Sequence, residues 1–130
     1  SKQRMIVLDA SALLAYLFRE SGHEMVEKTI EDACISTVNL SEVVRRFIRD
    51  GIDISPLIQY IEKTSIEIVP FSQKHALHAA DLIPKTKRYG LSLGDRACLG
   101  LATARNLAAL TADVVWTDIQ GLNVDVIQIR

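Results

Sequence analysis

Cysteine is scarce in this sequence of 130 residues. Cys34 and Cys98 are the only two, and each is isolated within an apolar stretch. Disulfide scaffolds and cysteine metal sites need more cysteines at closer spacing, so both classes are excluded. We predict that the two thiols are buried in the core, because free cysteine is among the most buried residue types.

Long apolar runs are also missing. No stretch approaches the roughly 18 apolar residues of a membrane span, and no charged segment followed by an apolar core and a cleavage site opens the sequence. The expectation is therefore a soluble, cytoplasmic protein with no membrane partner.

The sequence has no excess of charge of either sign. It contains 15 Lys and Arg against 16 Asp and Glu, for a formal net charge of −1. This balance is no signal for nucleic-acid binding, although it leaves room for a local basic surface. Hydrophobic residues make up 48% and charged residues 24%, which excludes a disordered or collagenous chain. We expect residues 1–130 to form a single domain.

Hydrophobic periodicity predicts alternating strands and helices. We predict strands over residues 5–8, 34–35, 66–70, 107–110 and 124–129, and helices over residues 11–18, 22–32, 39–50, 56–64, 72–83 and 93–105. Pro84 should end the helix before it, and residues 85–90 should form a basic loop. Strands separated by helices indicate right-handed crossovers, so the predicted fold is α/β: a three-layer sandwich with about five parallel strands, the last an edge strand, and helices on both faces.

Four acidic residues stand where ligands bind in such sheets, beyond the carboxyl ends of the strands. Asp9 follows the first strand and Asp113 follows the fourth, while Glu42 and Asp95 lie in the first turns of two predicted helices. Each acid alone has a simpler explanation, because a carboxylate at a helix start caps it or interacts with its dipole. Four carboxylates at one rim repel one another, however, and Mg²⁺ or Mn²⁺ removes that cost with the oxygen ligands it prefers.

The stretches that contain these acids resemble a known family. They are VLDASAL (7–13), NLSEV (39–43), LSLGDRA (91–97) and LTAD (110–113), followed by Trp116 and the closing VDVIQIR (124–130). Their order and spacing over essentially the whole chain resemble the PIN-domain ribonucleases, and within them the toxins of VapBC toxin–antitoxin pairs.

The resemblance implies that Asp9, Glu42, Asp95 and Asp113 are catalytic acids that bind Mg²⁺ (or Mn²⁺). It implies further that Ser11 and Thr111 are polar support, with the Thr111 hydroxyl orienting Asp9 or a water. It also implies an RNA substrate, a VapB-like antitoxin and a homodimer. Position 114 is Val where many relatives carry a basic residue, and Asp118 is an additional nearby acid.

The expected chemistry is metal-assisted hydrolysis of RNA phosphodiester bonds. This sequence lacks the adjacent acidic pair and the later lysine of a phospho-acceptor receiver domain. It also has Ser11 where a haloacid-dehalogenase-type phosphatase would carry Asp. The remaining alternative is a PIN-fold scaffold that binds RNA or protein with little turnover.

Several other residues have competing interpretations. Arg45 and Arg96 follow predicted metal ligands and are candidates for binding substrate phosphate, whereas Arg46 and Arg49 are interpreted as a solvated helix face. His75 and His78 are three residues apart but lack a third ligand nearby, so we interpret them as ordinary polar residues. Tyr89 is either a base-stacking residue or, more commonly for isolated aromatics, a packing residue.

Overall fold

A computed structural model describes residues 4–130 of the chain. The strands are β1 (Ile6–Leu8), β2 (Ala33–Ser36), β3 (Glu67–Val69), β4 (Ala108–Thr111) and β5 (Val126–Gln128). The α-helices are α1 (Ala10–Leu17), α2 (His23–Thr29), α3 (Thr37–Arg49), α4 (Ser55–Lys63), α5 (Gln73–Asp81), α6 (Ile83–Thr86) and α7 (Leu93–Arg105). Short 3₁₀ helices cover Ile30–Asp32, Lys87–Tyr89 and Val114–Asp118. The predicted domain boundaries included residues 1–3, which lie outside the described residues.

The five strands form one parallel sheet in the order β3-β2-β1-β4-β5. The chain builds β1, β2 and β3 outward in one direction and then crosses back to add β4 and β5 on the other side of β1. This reversal places the carboxyl ends of β1 and β4 beside each other, with Leu8 paired to Leu110. A crevice at such a reversal point is the usual ligand site of open α/β sheets.

The central strand β1 is buried on both faces, in keeping with its continuous apolar sequence. Ile6 and Leu8 pack into one apolar cluster with residues of α1, α2, α3 and α4, whereas Val7 packs into a second cluster with residues of α7. Because successive side chains of a strand point to opposite faces, the two clusters lie on the two sides of the sheet. The predicted three-layer sandwich with helices on both faces is confirmed.

The core also contains helix α7 and both cysteines, whose predicted burial is confirmed. Helix α7 is central, with Ala97, Leu99 and Leu101 fully buried. Within the described chain, Cys34 and Cys98 are both buried free thiols. Burial raises the pKa of the Cys34 thiol to about 11 and that of Cys98 as well, so both thiols are protonated at neutral pH.

The structure corrects the predicted loop over residues 85–90. Pro84 does not stop the helical region but lies in the first turn of α6, where a missing N–H costs nothing. Buried Thr86 donates its hydroxyl to the Leu82 carbonyl at 2.8 Å, and the segment continues as a 3₁₀ helix to Tyr89. Gly90, with φ of 72°, ends it in the left-handed conformation.

Other differences are shifts of element ends. The helix predicted over 22–32 is α2 followed by a separate 3₁₀ helix, and the strand predicted over 124–129 is shortened to β5. That strand lies at the sheet edge, as its alternating pattern predicted. Among the helices of residues 4–130, none is both long and apolar enough to cross a membrane.

Candidate functional site

All four candidate acids line one cleft at the carboxyl ends of the strands. The cleft has a volume of about 270 Å³ and is lined by Asp9, Ala10, Ser11, Leu14, Glu42, Arg45, Arg46, Arg49, Asp95 and Asp113. The acids reach it from the end of β1, the first half of α3, the first turn of α7 and the loop after β4. Residues more than a hundred positions apart in sequence therefore share one cavity.

Asp9 is the most deeply placed of these acids, with only 4% of its surface exposed. It is the N-cap of α1 and accepts the Ala12 backbone N–H at 2.8 Å. The Ser11 hydroxyl lies 2.8 and 2.9 Å from its two oxygens, and the Thr111 hydroxyl donates to Oδ2 at 2.5 Å. Both candidate support residues thus hold the Asp9 carboxylate directly.

The same two hydroxyls connect Asp9 to the loop that carries Asp113. The Ser11 oxygen accepts the Ala112 N–H at 2.9 Å, and the Thr111 oxygen accepts the Asp113 N–H at 3.0 Å. Because each hydroxyl donates to Asp9 while accepting from this loop, the loop is tied to the end of β1.

Asp95 and Asp113 also make the helix-capping contacts that the simpler explanation expected. Asp95 accepts the Ser92 N–H at 2.9 Å while the Ser92 hydroxyl accepts the Asp95 N–H, which is a capping box at the start of α7. Asp113 accepts the Val115 N–H at 3.0 Å. Capping and a place in the cleft are compatible, because each contact uses only part of the carboxylate's capacity for hydrogen bonds.

Glu42 does not lie in the first turn of its helix, as predicted, because α3 begins at Thr37 and places it in the second turn. It is held instead by a contact between α3 and α7. The amide nitrogen of buried Asn39 donates to Glu42 Oε1 at 3.0 Å and to the Gly94 carbonyl at 2.9 Å. Sequence reasoning missed Asn39 and Gly94 as parts of the site. The Asn-x-x-Glu spacing was the available signal, because residues three apart on a helix are neighbours.

The pKa values of three acids are raised, and burial is the largest cause in each. Burial raises the pKa of Asp9 to about 6 against three hydrogen bonds that lower it, and the charge of Asp95 raises it further. The pKa of Glu42 is raised by burial and by Asp95, and that of Asp95 by burial and by Asp113. The predicted repulsion among the carboxylates contributes to these raised pKa values, but loss of hydration contributes more.

Three arginines of α3, the helix that carries Glu42, also line the cleft. Arg45 is exposed, and its charge lowers the pKa of Glu42 against the effect of burial. Arg46 and Arg49 also line the cleft, where Arg49 is exposed, as expected of a solvated face, and Arg46 is half-buried. Their guanidinium groups share Asp50, at 2.8 Å for Arg46 and 3.0 Å for Arg49.

The remaining candidates lie outside this cleft. Arg96 donates to the Ala79 carbonyl at 3.2 Å and lines a second cavity with residues of α6. His75 is buried and takes part in the capping box of α5, where burial lowers its pKa. Tyr89 donates its hydroxyl to the Asp118 carbonyl at 3.1 Å and packs against the core, which agrees with a packing residue.

The donor set of the cleft fits a hard divalent cation. Its acidic side chains, the candidate metal ligands, are all carboxylates, which suit Mg²⁺ and Mn²⁺ rather than softer metals. Within residues 4–130 no three His, Cys, Asp or Glu side chains are already arranged to hold a metal ion. This arrangement is compatible with Mg²⁺, which usually keeps several of its waters when it binds to a protein.

Comparisons with known proteins agree with this fold. A family model described as PIN domain matches residues 6–122. A toxin–antitoxin complex from Klebsiella pneumoniae is similar over 96% of this chain and 98% of that chain, with a TM-score of 0.71 and 18% identity. A DNA-bound VapBC from Salmonella typhimurium is similar over 98% and 100%, with a TM-score of 0.71 and 18% identity. VapBC-5 from Mycobacterium tuberculosis is similar over 94% and 96%, with a TM-score of 0.62 and 20% identity. A comparison with curated protein sequences found no match.

Proposed function

The chain belongs to the PIN domain family, and from this premise we propose that it is a metal-dependent endoribonuclease and the toxin of a toxin–antitoxin pair. The observation that carries the proposal is the meeting of Asp9, Glu42, Asp95 and Asp113 in one cleft. Capping explains single acids, but three carboxylates with raised pKa values in one cavity are costly for folding. A bound cation offsets that cost.

The four acids would hold Mg²⁺ or Mn²⁺. Such a cation, when bound, lowers the pKa of a water molecule and polarises the scissile phosphodiester. The hydroxyls of Ser11 and Thr111 keep the Asp9 carboxylate oriented toward the cleft, since both donate to it. Arg45 is exposed and lines the same cleft, which suits it to bind a flanking phosphate.

The expected reaction is attack of water on phosphorus. The P–O3′ bond breaks and the 3′ oxygen takes up a proton, so one product carries a 5′-phosphate and the other a 3′-hydroxyl. No covalent enzyme intermediate is required, in keeping with Ser11, whose hydroxyl is engaged with the Asp9 carboxylate rather than with a histidine base.

An RNA cleavage assay tests the nuclease proposal. The purified protein, free of antitoxin, is incubated with a wide panel of RNAs and either MnCl₂, MgCl₂ or EDTA, and the 5′ ends of the products are sequenced. We expect cleavage by the wild type with metal and none by Asp95→Asn. Asp81→Asn is the matched control, because Asp81 is an exposed carboxylate at the end of α5. RNA binding without cleavage across the panel would instead favour the scaffold alternative.

The toxin proposal includes a VapB-like antitoxin that covers the acidic cleft, and a homodimer formed through helices away from it. Each of the three solved relatives described above is a toxin–antitoxin assembly by its description. The test is to inspect the neighbouring reading frame and to express the two genes alone and together. Growth arrest relieved by co-expression supports the proposal, and an isolated gene whose induction leaves growth unchanged contradicts it. Light scattering of the purified chain tests the homodimer.

A further inference from the structure

The Glu42 carboxylate lies against two residues that have no catalytic chemistry of their own. Asn39, only 1% exposed, donates one amide hydrogen to Glu42 Oε1 and the other to the Gly94 carbonyl, at 3.0 and 2.9 Å. Gly94, in the first turn of α7, lies directly beneath the same carboxylate. We name this pair, Asn39 and Gly94, the glutamate seat.

The chemistry of the contacts determines the orientation of the Asn39 amide. Both neighbours, the Glu42 carboxylate and the Gly94 carbonyl, offer acceptors, so the amide nitrogen must face them. The amide oxygen is then buried with no hydrogen-bond partner among the described residues. An unpartnered buried oxygen costs stability, so core packing alone does not account for an asparagine here.

The need for glycine at position 94 comes from the space that the Glu42 carboxylate occupies, rather than from the backbone conformation. Its φ is outside the left-handed region, so any L residue fits its backbone there. A Cβ at this position, however, would lie 2.5 Å from both Cδ and Oε1 of Glu42. Glycine weakens a helix relative to alanine, and the compensating effect here is room for the carboxylate.

We propose that Asn39 and Gly94 are positioning residues that hold the Glu42 carboxylate in the acidic cleft and thereby set the protein's affinity for the divalent cation. The inference rests on the proposed metal-dependent nuclease function. The seat joins α3, which carries Glu42, to the first turn of α7, which carries Asp95. It therefore determines the relation between two of the four acids as well as the direction of one side chain.

Alanine substitution of glycine separates this role from a structural one. In Gly94→Ala the new methyl group meets the end of a flexible side chain, which can rotate away, so the fold should be retained and the melting temperature should not fall. Gly100→Ala is the matched control on the same helix. Its Cβ would lie 3.0 Å from the His75 carbonyl of α5, so it perturbs packing on α7 away from the cleft.

Isothermal titration with MnCl₂ below the melting temperature gives the first readout. We expect Gly94→Ala to bind Mn²⁺ at least tenfold more weakly than the wild type, and Gly100→Ala to bind it with unchanged affinity. Equal affinity in Gly94→Ala and wild type would overturn the inference while leaving the proposed function intact. A wild type that neither binds Mn²⁺ nor cleaves RNA would overturn the proposed function and this inference with it.

A double-mutant cycle with cleavage kinetics gives the second readout. Gly94→Ala should raise the Mn²⁺ concentration needed for half-maximal cleavage at least tenfold, with KM for RNA unchanged within twofold. In a Glu42→Gln background, which has already lost the carboxylate, the same glycine substitution should weaken Mn²⁺ binding no further. An additional tenfold loss in that background would show that Gly94 acts independently of Glu42 and would refute the seat.

Discussion

Protonation of Asp9 should make the metal-free protein more stable as the pH falls from 7 to 5. In the folded chain burial raises the pKa of Asp9 from 3.8 to about 6. Folding therefore favours the protonated carboxyl, and the charged form present at neutral pH destabilises the native state. The stability lost at pH 7 is regained as the pH falls through 6 and is fully present below 3.8.

The size of this effect follows from the two pKa values. Over the whole pH range the difference corresponds to about 3 kcal/mol of unfolding free energy. Between pH 7 and pH 5 the folded-state carboxyl changes from about nine-tenths to about one-tenth ionised, while the unfolded-state carboxyl stays almost fully ionised. That interval should add about 1 kcal/mol to the unfolding free energy.

Asp9→Asn isolates this contribution. The asparagine oxygen can still accept the Ala12 N–H, and the hydroxyls of Ser11 and Thr111 can rotate to accept from its amide. The variant therefore resembles the protonated acid at every pH. Other titrating groups, including His75 with its lowered pKa and opposite pH dependence, are present in both proteins and largely cancel in the comparison.

Urea unfolding in EDTA, followed by the fluorescence of the single, fully buried Trp116, measures both proteins at pH 7 and pH 5. The wild type should gain about 1 kcal/mol more than Asp9→Asn over this interval. Equal pH dependence in the two proteins would refute the burial argument for Asp9. Saturating Mg²⁺ should reduce the difference, because metal binding favours the ionised carboxylate.

Three further predictions concern the cleft. Asp113→Asn should abolish most cleavage and leave the metal-free protein at least as stable as the wild type. The substitution removes carboxylate repulsion, while an amide oxygen remains to accept the Val115 N–H. A loss of more than about 1 kcal/mol of unfolding free energy, measured with urea, would favour a purely capping role for Asp113. Mg²⁺ at a hundredfold excess over Kd should stabilise the wild type by about 2.7 kcal/mol, and the Asp113 variant by less, as measured by melting temperature. Arg45→Gln should raise KM for RNA with little change in kcat, and it should reduce the salt dependence of RNA binding. The control Lys63→Gln, at the end of α4, should change neither. A matching drop in kcat for Arg45→Gln would instead place Arg45 nearer the reacting bond.

Hydrophobic patterns in the sequence account for most of the fold that could be predicted. The apolar run of β1 and the small residues of α7 mark elements enclosed on all sides, and both are central in the structure. The region around Pro84 was mispredicted, because a proline has the same local signature when it ends one helix as when it begins the next. Packing selects the second case, because Thr86 is buried and its hydroxyl donates to the Leu82 carbonyl.

The sequence by itself determined the four acids and their order along the chain. Because strand ends meet at one edge of a parallel sheet, the sequence pattern also predicted where the acids would lie. Asp9 follows β1 directly and Asp113 lies two residues after β4, so their meeting needed only the topology. The glutamate seat could not be read in this way, because the contact from Asn39 to Gly94 spans 55 positions and depends on how α3 packs against α7. The same holds for the pKa of Asp9, since its largest cause is burial, and burial arises only when helices and sheet enclose the carboxylate together.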